Sequence, residues 1–181
     1  MPIQDEGGGG LAASLAELKA YLRIGGSDED AVLAGLLRSA ASLCEQFIGQ
    51  WLIARQARDR VIADRGWTRL AARPVIAIES VAKVDALGAE TALDPQGYAI
   101  DIDGNGEGWV RIMAPDLHGG PVVVRYRAGM AQEMNGLPEP IRQGIVRLAA
   151  DHHASRTGDG VSPPPAVVSA LWRPWRRMRL A

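Results

Sequence analysis

The stretch Asp101-Ile102-Asp103-Gly104-Asn105-Gly106-Glu107-Gly108, DIDGNGEG, admits two readings that lead to different folds. As a calcium loop it offers oxygen ligands at loop positions one, three and five and a glycine at six. Such a loop also needs a bidentate glutamate at position twelve and a helix leading in. Counting from Asp101 places Ile112 there, and Tyr98-Ala99-Ile100 alternates like a strand. As a turn the stretch is well formed, because Asp-Gly and Asn-Gly pairs tolerate the positive φ that tight hairpins require. We therefore read a hairpin, which predicts an antiparallel sheet around it.

Working outward, the region from about Ile53 to Ala128 shows short β-rich runs separated by glycine, proline and aspartate. Strands are predicted over Gln56–Ile62, Thr68–Leu70, Val75–Leu87, Tyr98–Ile102, Trp109–Met113 and Val122–Tyr126. On both sides of this region the period changes to that of helices. Ser14 with Glu17 forms a capping box for a helix carrying Leu15, Leu18 and Leu22, ended by Gly25-Gly26. Ser27 or Asp28 caps a second helix, in which Val32, Leu33, Leu36, Leu37, Ala40, Leu43, Cys44, Phe47, Ile48 and Trp51 recur at three- and four-residue steps. That rod is roughly 33 Å long at about 1.5 Å per residue. A third helix starts with Pro138 or Pro140 in its first turn and carries Ile141, Ile145, Leu148 and Ala149 on one face.

The predicted class is α+β: a mainly helical core of three main helices, an antiparallel β insertion and an extended C-terminal tail. Residues 1–13, with Gly7 to Gly10, read as a flexible arm. Residues 14–157 form one domain with helices over 14–24, 28–52 and 138–157 and the β insertion over 53–128. Residues 158–181 read as a hinge, stiffened by Pro163-Pro164-Pro165, and a tail held away from the body.

Composition narrows the function. With 181 residues, 47% hydrophobic and 23% charged, the chain can bury a sizeable core, and its net charge of -1 gives no general attraction to nucleic acid or anionic membrane. No secretory leader and no membrane span are read, so a cytosolic protein is expected. The single Cys44 lies among apolar residues and reads as a core thiol. Asp151-His152-His153 suggests a metal cluster, but helix neighbours point about 100° apart and no further ligands follow at workable spacing, so these read as a partly exposed helix face. No nucleophile elbow, phosphate loop or dinucleotide fingerprint occurs. No enzyme, cofactor or metal is expected.

The tail stands out. Leu171, Trp172, Arg173, Pro174, Trp175, Arg176, Arg177, Arg179 and Leu180 combine four arginines and two tryptophans with no acid. Arginine and tryptophan are the types most enriched at binding hot spots, which points to docking on a protein partner. The alternative is a nucleic-acid-binding module, because interleaved arginine and aromatic side chains also bind single strands by stacking and phosphate contact.

The order of SLAELKAYLRI, DEDAVLAGLLRSAASLCEQFIGQ, VVVRYRAG, LPEPIRQGIVRLAADHHASR and LWRPWRRMRL resembles head-tail connector (adaptor) proteins of tailed phages, prophages and gene transfer agents. The most specific pieces are Arg-x-Gly followed by Pro138, Ile141, Arg142 and Gln143, and the ending with Leu171, Pro174, Trp175, Arg176, Arg179 and Leu180. The resemblance implies a non-enzymatic virion subunit, assembled in the bacterial cytoplasm, in a homo-oligomeric ring of twelve. It implies attachment to the portal protein above and to tail or stopper proteins below, with DNA passing through the channel without specific binding. The C-terminal residues named above are then the docking residues. The chain departs from the family pattern at His152 and His153, where bulky aromatics are common, and in its glycine arm.

Overall fold

The computed structural model of the chain describes residues 4–5, 11–155 and 164–177. It divides into two units, one made of residues 1–9 and 54–130 and the other of residues 10–53 and 131–181.

The first unit is all β. Its larger sheet runs in the order β1 (Gln4–Asp5), β2 (Arg55–Ile62), β8 (Pro121–Ala128), β4 (Val75–Val84), β5 (Glu90–Ala92), every neighbour antiparallel. A three-stranded sheet runs β3 (Thr68–Arg69), β7 (Gly108–Ile112), β6 (Tyr98–Ile102). Strand β8 is central, and its Val122, Val123 and Val124 are all buried, as a strand covered on both faces should be. On β2 only alternate residues, Ala57, Asp59 and Val61, face inward. Buried Asp59 is satisfied: its Oδ2 accepts from the Tyr126 hydroxyl at 3.0 Å and from Ala71 N at 2.7 Å, while the hydroxyl oxygen accepts from Ala72 N at 2.9 Å. Burial first, and the Asp59 charge after it, push the Tyr126 phenol well above its ordinary range, so it stays a neutral donor.

The hairpin expected of DIDGNGEG forms, with Ile102 paired to Gly108 and the turn between them. Asp103 closes it, its Oδ1 accepting from Asn105 N at 2.8 Å and Glu107 N at 3.0 Å. Glu107 instead reaches Arg73, with Oε1 2.7 Å from Nη1. The carboxylate at position three of the calcium reading, Asp103, is thus engaged in closing the turn. Gly106 has φ 74°, and a Cβ there would lie 2.7 Å from Pro74 Cβ, so the turn needs glycine on two counts.

The second unit is helical: α1 (Leu15–Leu22), α2 (Asp30–Ile48), α3 (Glu139–Ala154) and α4 (Ala166–Trp172). The Ser14–Glu17 capping box is present, and Lys19 bonds Asp30 at 2.6 Å to join α1 to α2. Gly49 at φ 69° ends α2 earlier than the apolar pattern suggests, because a left-handed residue stops the helical ladder. By length and composition α2 could cross a membrane, with 19 residues at mean hydropathy 1.3. Here Leu33, Leu37, Ala40, Cys44 and Ile48 instead line the unit's core with Leu18, Ile141, Ile145 and Leu148. Burial, reinforced by Glu45, pushes the Cys44 thiol far above its ordinary range, which suits a core thiol.

Two sequence expectations are corrected. The fold is α+β, but it is not a mainly helical core with three main helices: the described residues hold four helices and two antiparallel sheets. The strands build a core of their own rather than decorating the helices. The fourth helix lies in the segment read as an extended tail, where Pro165, with φ -52° and ψ 149°, is the N-cap rather than part of a spacer. Within the arm, Gln4–Asp5 pair with β2 and Ala12 and Ala13 are buried, while Gly7 to Gly10 lie outside the described residues.

Candidate docking site at the C-terminal segment

Val168 and Trp172 are one helical turn apart, so α4 turns both to the same side, and both are buried. The indole of Trp172 is fully buried in its own unit. It lies on α3 at Gly144, where an added Cβ would fall inside contact distance of Nε1, 2.8 Å from Cε2 and 2.9 Å from Cδ1. Nε1 donates to the Ile141 carbonyl at 3.3 Å, and the Phe47 ring of α2 tilts across at 5.9 Å and 55°. A helix of seven residues has little stability alone, so this anchor is what holds α4 in place.

Beyond Trp172 the chain makes one 3-10 turn, Arg173–Trp175, with Pro174 inside it. Two bonds then tie it to the end of α2. Gln50 Nε2 donates to the Trp175 carbonyl at 2.7 Å, and Arg177 N donates to the Ile48 carbonyl at 2.9 Å, meeting one of the acceptors a helix C-terminus leaves open. The Arg176 guanidinium sits 5.5 Å from the Phe47 ring centroid. Arg173, Pro174, Arg176 and Arg177 are exposed, Trp175 and Leu171 half-buried.

The nine predicted site residues are therefore of different kinds. Trp172 is interior, an anchor rather than a surface contact. Leu171 and Arg173 to Arg177 form one short surface stretch, and Arg179 and Leu180 lie outside the described residues. Sequence reading missed Gly144 and Gln50, and it placed Phe47 and Ile141 on apolar helix faces without their part in the Trp172 seat. Gly144 carried a signal, since a glycine inside a helix costs about 1 kcal/mol relative to alanine and so suggests a close approach.

Other motif residues have structural partners. Pro138 is the N-cap of α3, and Arg142 bonds Glu139 and lies 3.8 Å from Glu17, binding α3 to α1. The Glu139 bond chiefly raises the Arg142 pKa, keeping the guanidinium charged. His153 Nε2 lies 2.9 Å from Glu29 Oε2, so it joins the helices at their ends.

Comparison with known proteins agrees with this architecture. Residues 12–85 match the profile of the phage gp6-like head-tail connector protein family. No curated protein sequence matches the chain. Among solved structures the chain is similar to a subunit of the neck of an empty gene transfer agent particle computed with C6 symmetry, at 27% identity and TM-score 0.81. It is similar also to one in the neck of a native particle computed with C12 symmetry, at 28% and 0.80, and to one in the virion of a native gene transfer agent particle, at 29% and 0.75. Each match covers 100% of this chain and 98% of the other.

Proposed function

We propose that the chain is a head-tail connector protein of the phage and gene-transfer-agent kind, structural rather than catalytic, which docks through its C-terminal arginines to join the head to the tail. Its place is the neck of a virion, in a ring of its own copies. In the proposal the ring has twelve subunits, contacts the portal protein on one side and tail or stopper proteins on the other, and continues the DNA channel. The C12 symmetry of a neck that contains a similar chain supports the number. A net charge of -1 suits passage of DNA without retention, since each phosphate held by a basic side chain would strengthen binding and slow movement.

The observation that carries docking is the Trp172 anchor. By fixing α4 and the following turn it presents Arg173, Arg176 and Arg177 from one short exposed stretch, already ordered before any partner arrives. A preordered contact loses less entropy on binding than a free tail. Arg179 and Leu180 extend the same stretch in the proposal.

The test is a triple charge reversal, Arg173→Glu, Arg176→Glu and Arg177→Glu. It should leave the melting temperature within a few degrees of wild type and lower co-purification with portal-bearing heads at least tenfold. Wild-type recovery on heads would overturn the docking role. The nucleic-acid alternative is weakened because Trp172 has no exposed ring for a base to stack on. It predicts steep salt dependence of oligonucleotide binding by the intact protein, abolished by the same triple variant.

A further inference from the structure

The three-stranded sheet ends in two unlike edges, β3 and β6, with β7 between them. Hydrogen bonds fix which backbone groups each edge turns outward. On the β6 side, Met113 N donates to Gly97 O at 2.8 Å and Asp103 N to Glu107 O at 3.0 Å. The bonded pairs therefore fall on Ala99 and Asp101, and the N–H and C=O of Tyr98, Ile100 and Ile102 point away from β7. On the β3 side, Leu70 N donates to Gly108 O at 2.8 Å, so Thr68 and Leu70 bond β7 and the backbone of Trp67 and Arg69 points away. Among the described residues these outward groups have no hydrogen-bond partner. An open edge of this kind is a template for another strand.

The side chains at the two edges complement each other. Ile100 and Ile102 face the same side as Val110 and Gly108, which are buried, yet they are 46% and 39% exposed at the end of the sheet. On the opposite side the strands form two rows, Arg69–Trp109–Asp101 and Trp67–Arg111–Ala99, the Arg111 guanidinium lying 5.1 Å from the Trp67 ring centroid. The first row begins with a cation and ends with an anion; the second begins with a large ring and ends with a methyl group. Arg69 is exposed and touches Glu107 through Nη1 at 3.4 Å, which leaves most of its donors open. The Asp101 side chain has no partner among the described residues.

Direction also fits. β3 and β6 both run antiparallel to β7 and so run the same way. Neighbours in a twelvefold ring differ by a rotation of about 30°, so β6 of one copy and β3 of the next meet nearly parallel. We propose that these two strands pair, Ile100 opposite the next copy's Thr68, so that the small sheet continues from subunit to subunit. In this register Ile100 donates to the Trp67 carbonyl and accepts from the Arg69 N–H of the next copy, all groups that the edges leave open. Asp101 comes beside Arg69, Ala99 leaves room for the Trp67 indole, and no like charges face each other between Gly97 and Asp103. A closed ring needs two different, mutually complementary patches on each subunit, and the two edges supply them. The inference rests on the ring reading above and assigns one of its subunit contacts.

Two experiments on particle necks test it. Thr68→Cys with Ile100→Cys should give, under mild oxidation, a ladder of disulfide-linked copies on non-reducing gels. Within one chain β7 separates the two positions by about 9.6 Å, beyond the reach of a disulfide, and Cys44 is buried. Asp101→Arg should leave the melting temperature of the isolated protein unchanged and lower ring recovery roughly tenfold, since arginine then faces arginine. Adding Arg69→Asp to that variant should restore the rings. Closed wild-type rings that give no ladder and tolerate Asp101→Arg would overturn this junction and leave the ring reading standing. Wild-type necks without a closed assembly of this chain would remove both.

Discussion

At the scale of the residue, Gly144 sets two effects of opposite sign against each other. In an exposed helix, alanine in place of glycine stabilises by about 1 kcal/mol. At Gly144 the new Cβ would meet the Trp172 ring at 2.8–2.9 Å, and a buried indole with one acceptor has little room to retreat. Overpacking of that kind costs about 1–3 kcal/mol, so the clash wins. Gly144→Ala is expected to lower the melting temperature and raise Trp fluorescence accessibility to quenchers; a stabilised variant would mean that Trp172 is not seated there. This pairing also shows what single residues reveal in sequence. Trp172 reads as a surface contact because its neighbours are arginines, and only the glycine 28 positions earlier (172 less 144) marks its seat. Nothing local links the two.

At the scale of the element, the edge of the larger sheet depends on one carboxylate. Arg58 and Arg125 face each other directly on β2 and β8, an unfavourable like-charge pair. Glu90, on β5, lies 2.6 Å from each. The hydrogen bond from Arg58, helped by that from Arg125, holds the Glu90 carboxyl below its ordinary value of 4.5. A depressed folded value means the contribution to stability is present above the ordinary value and lost as pH falls through the folded one. Glu90→Gln is therefore expected to cost on the order of 1 kcal/mol at pH 7, and its melting deficit should shrink below pH 4.5. A deficit independent of pH would show that the carboxylate charge is not what matters. Long elements were legible: alternation gave β2, β6 and β7, and the three-and-four period gave α2 and α3. β5 was not, because Glu90-Thr91-Ala92 is too short to show a period and owes its place to pairing with β4.

At the scale of the whole molecule, the C-terminal segment belongs to the fold before it belongs to any assembly. The stretch read from sequence as a tail held off by prolines encodes Val168 and Trp172 one turn apart, but a two-residue pattern in seven residues falls below what periodicity can establish. The distinction decides how docking must be tested. Ending the chain after Pro165 removes the arginines, but it also removes Trp172 from between Gly144, Ile141 and Phe47 and opens the helical unit's core. Loss of a buried tryptophan costs about 3–5 kcal/mol, a large share of the roughly 5–15 kcal/mol that holds a domain together. The truncated chain is expected to melt roughly 6–20 °C lower and to fail in assembly for that reason alone. The triple arginine reversal should fail in assembly while melting normally. Calorimetry of the two variants beside head-binding assays separates anchor from contact: if truncation leaves the melting temperature unchanged, α4 is not part of the unit's stability, and Trp172 returns to the list of residues free to meet a partner.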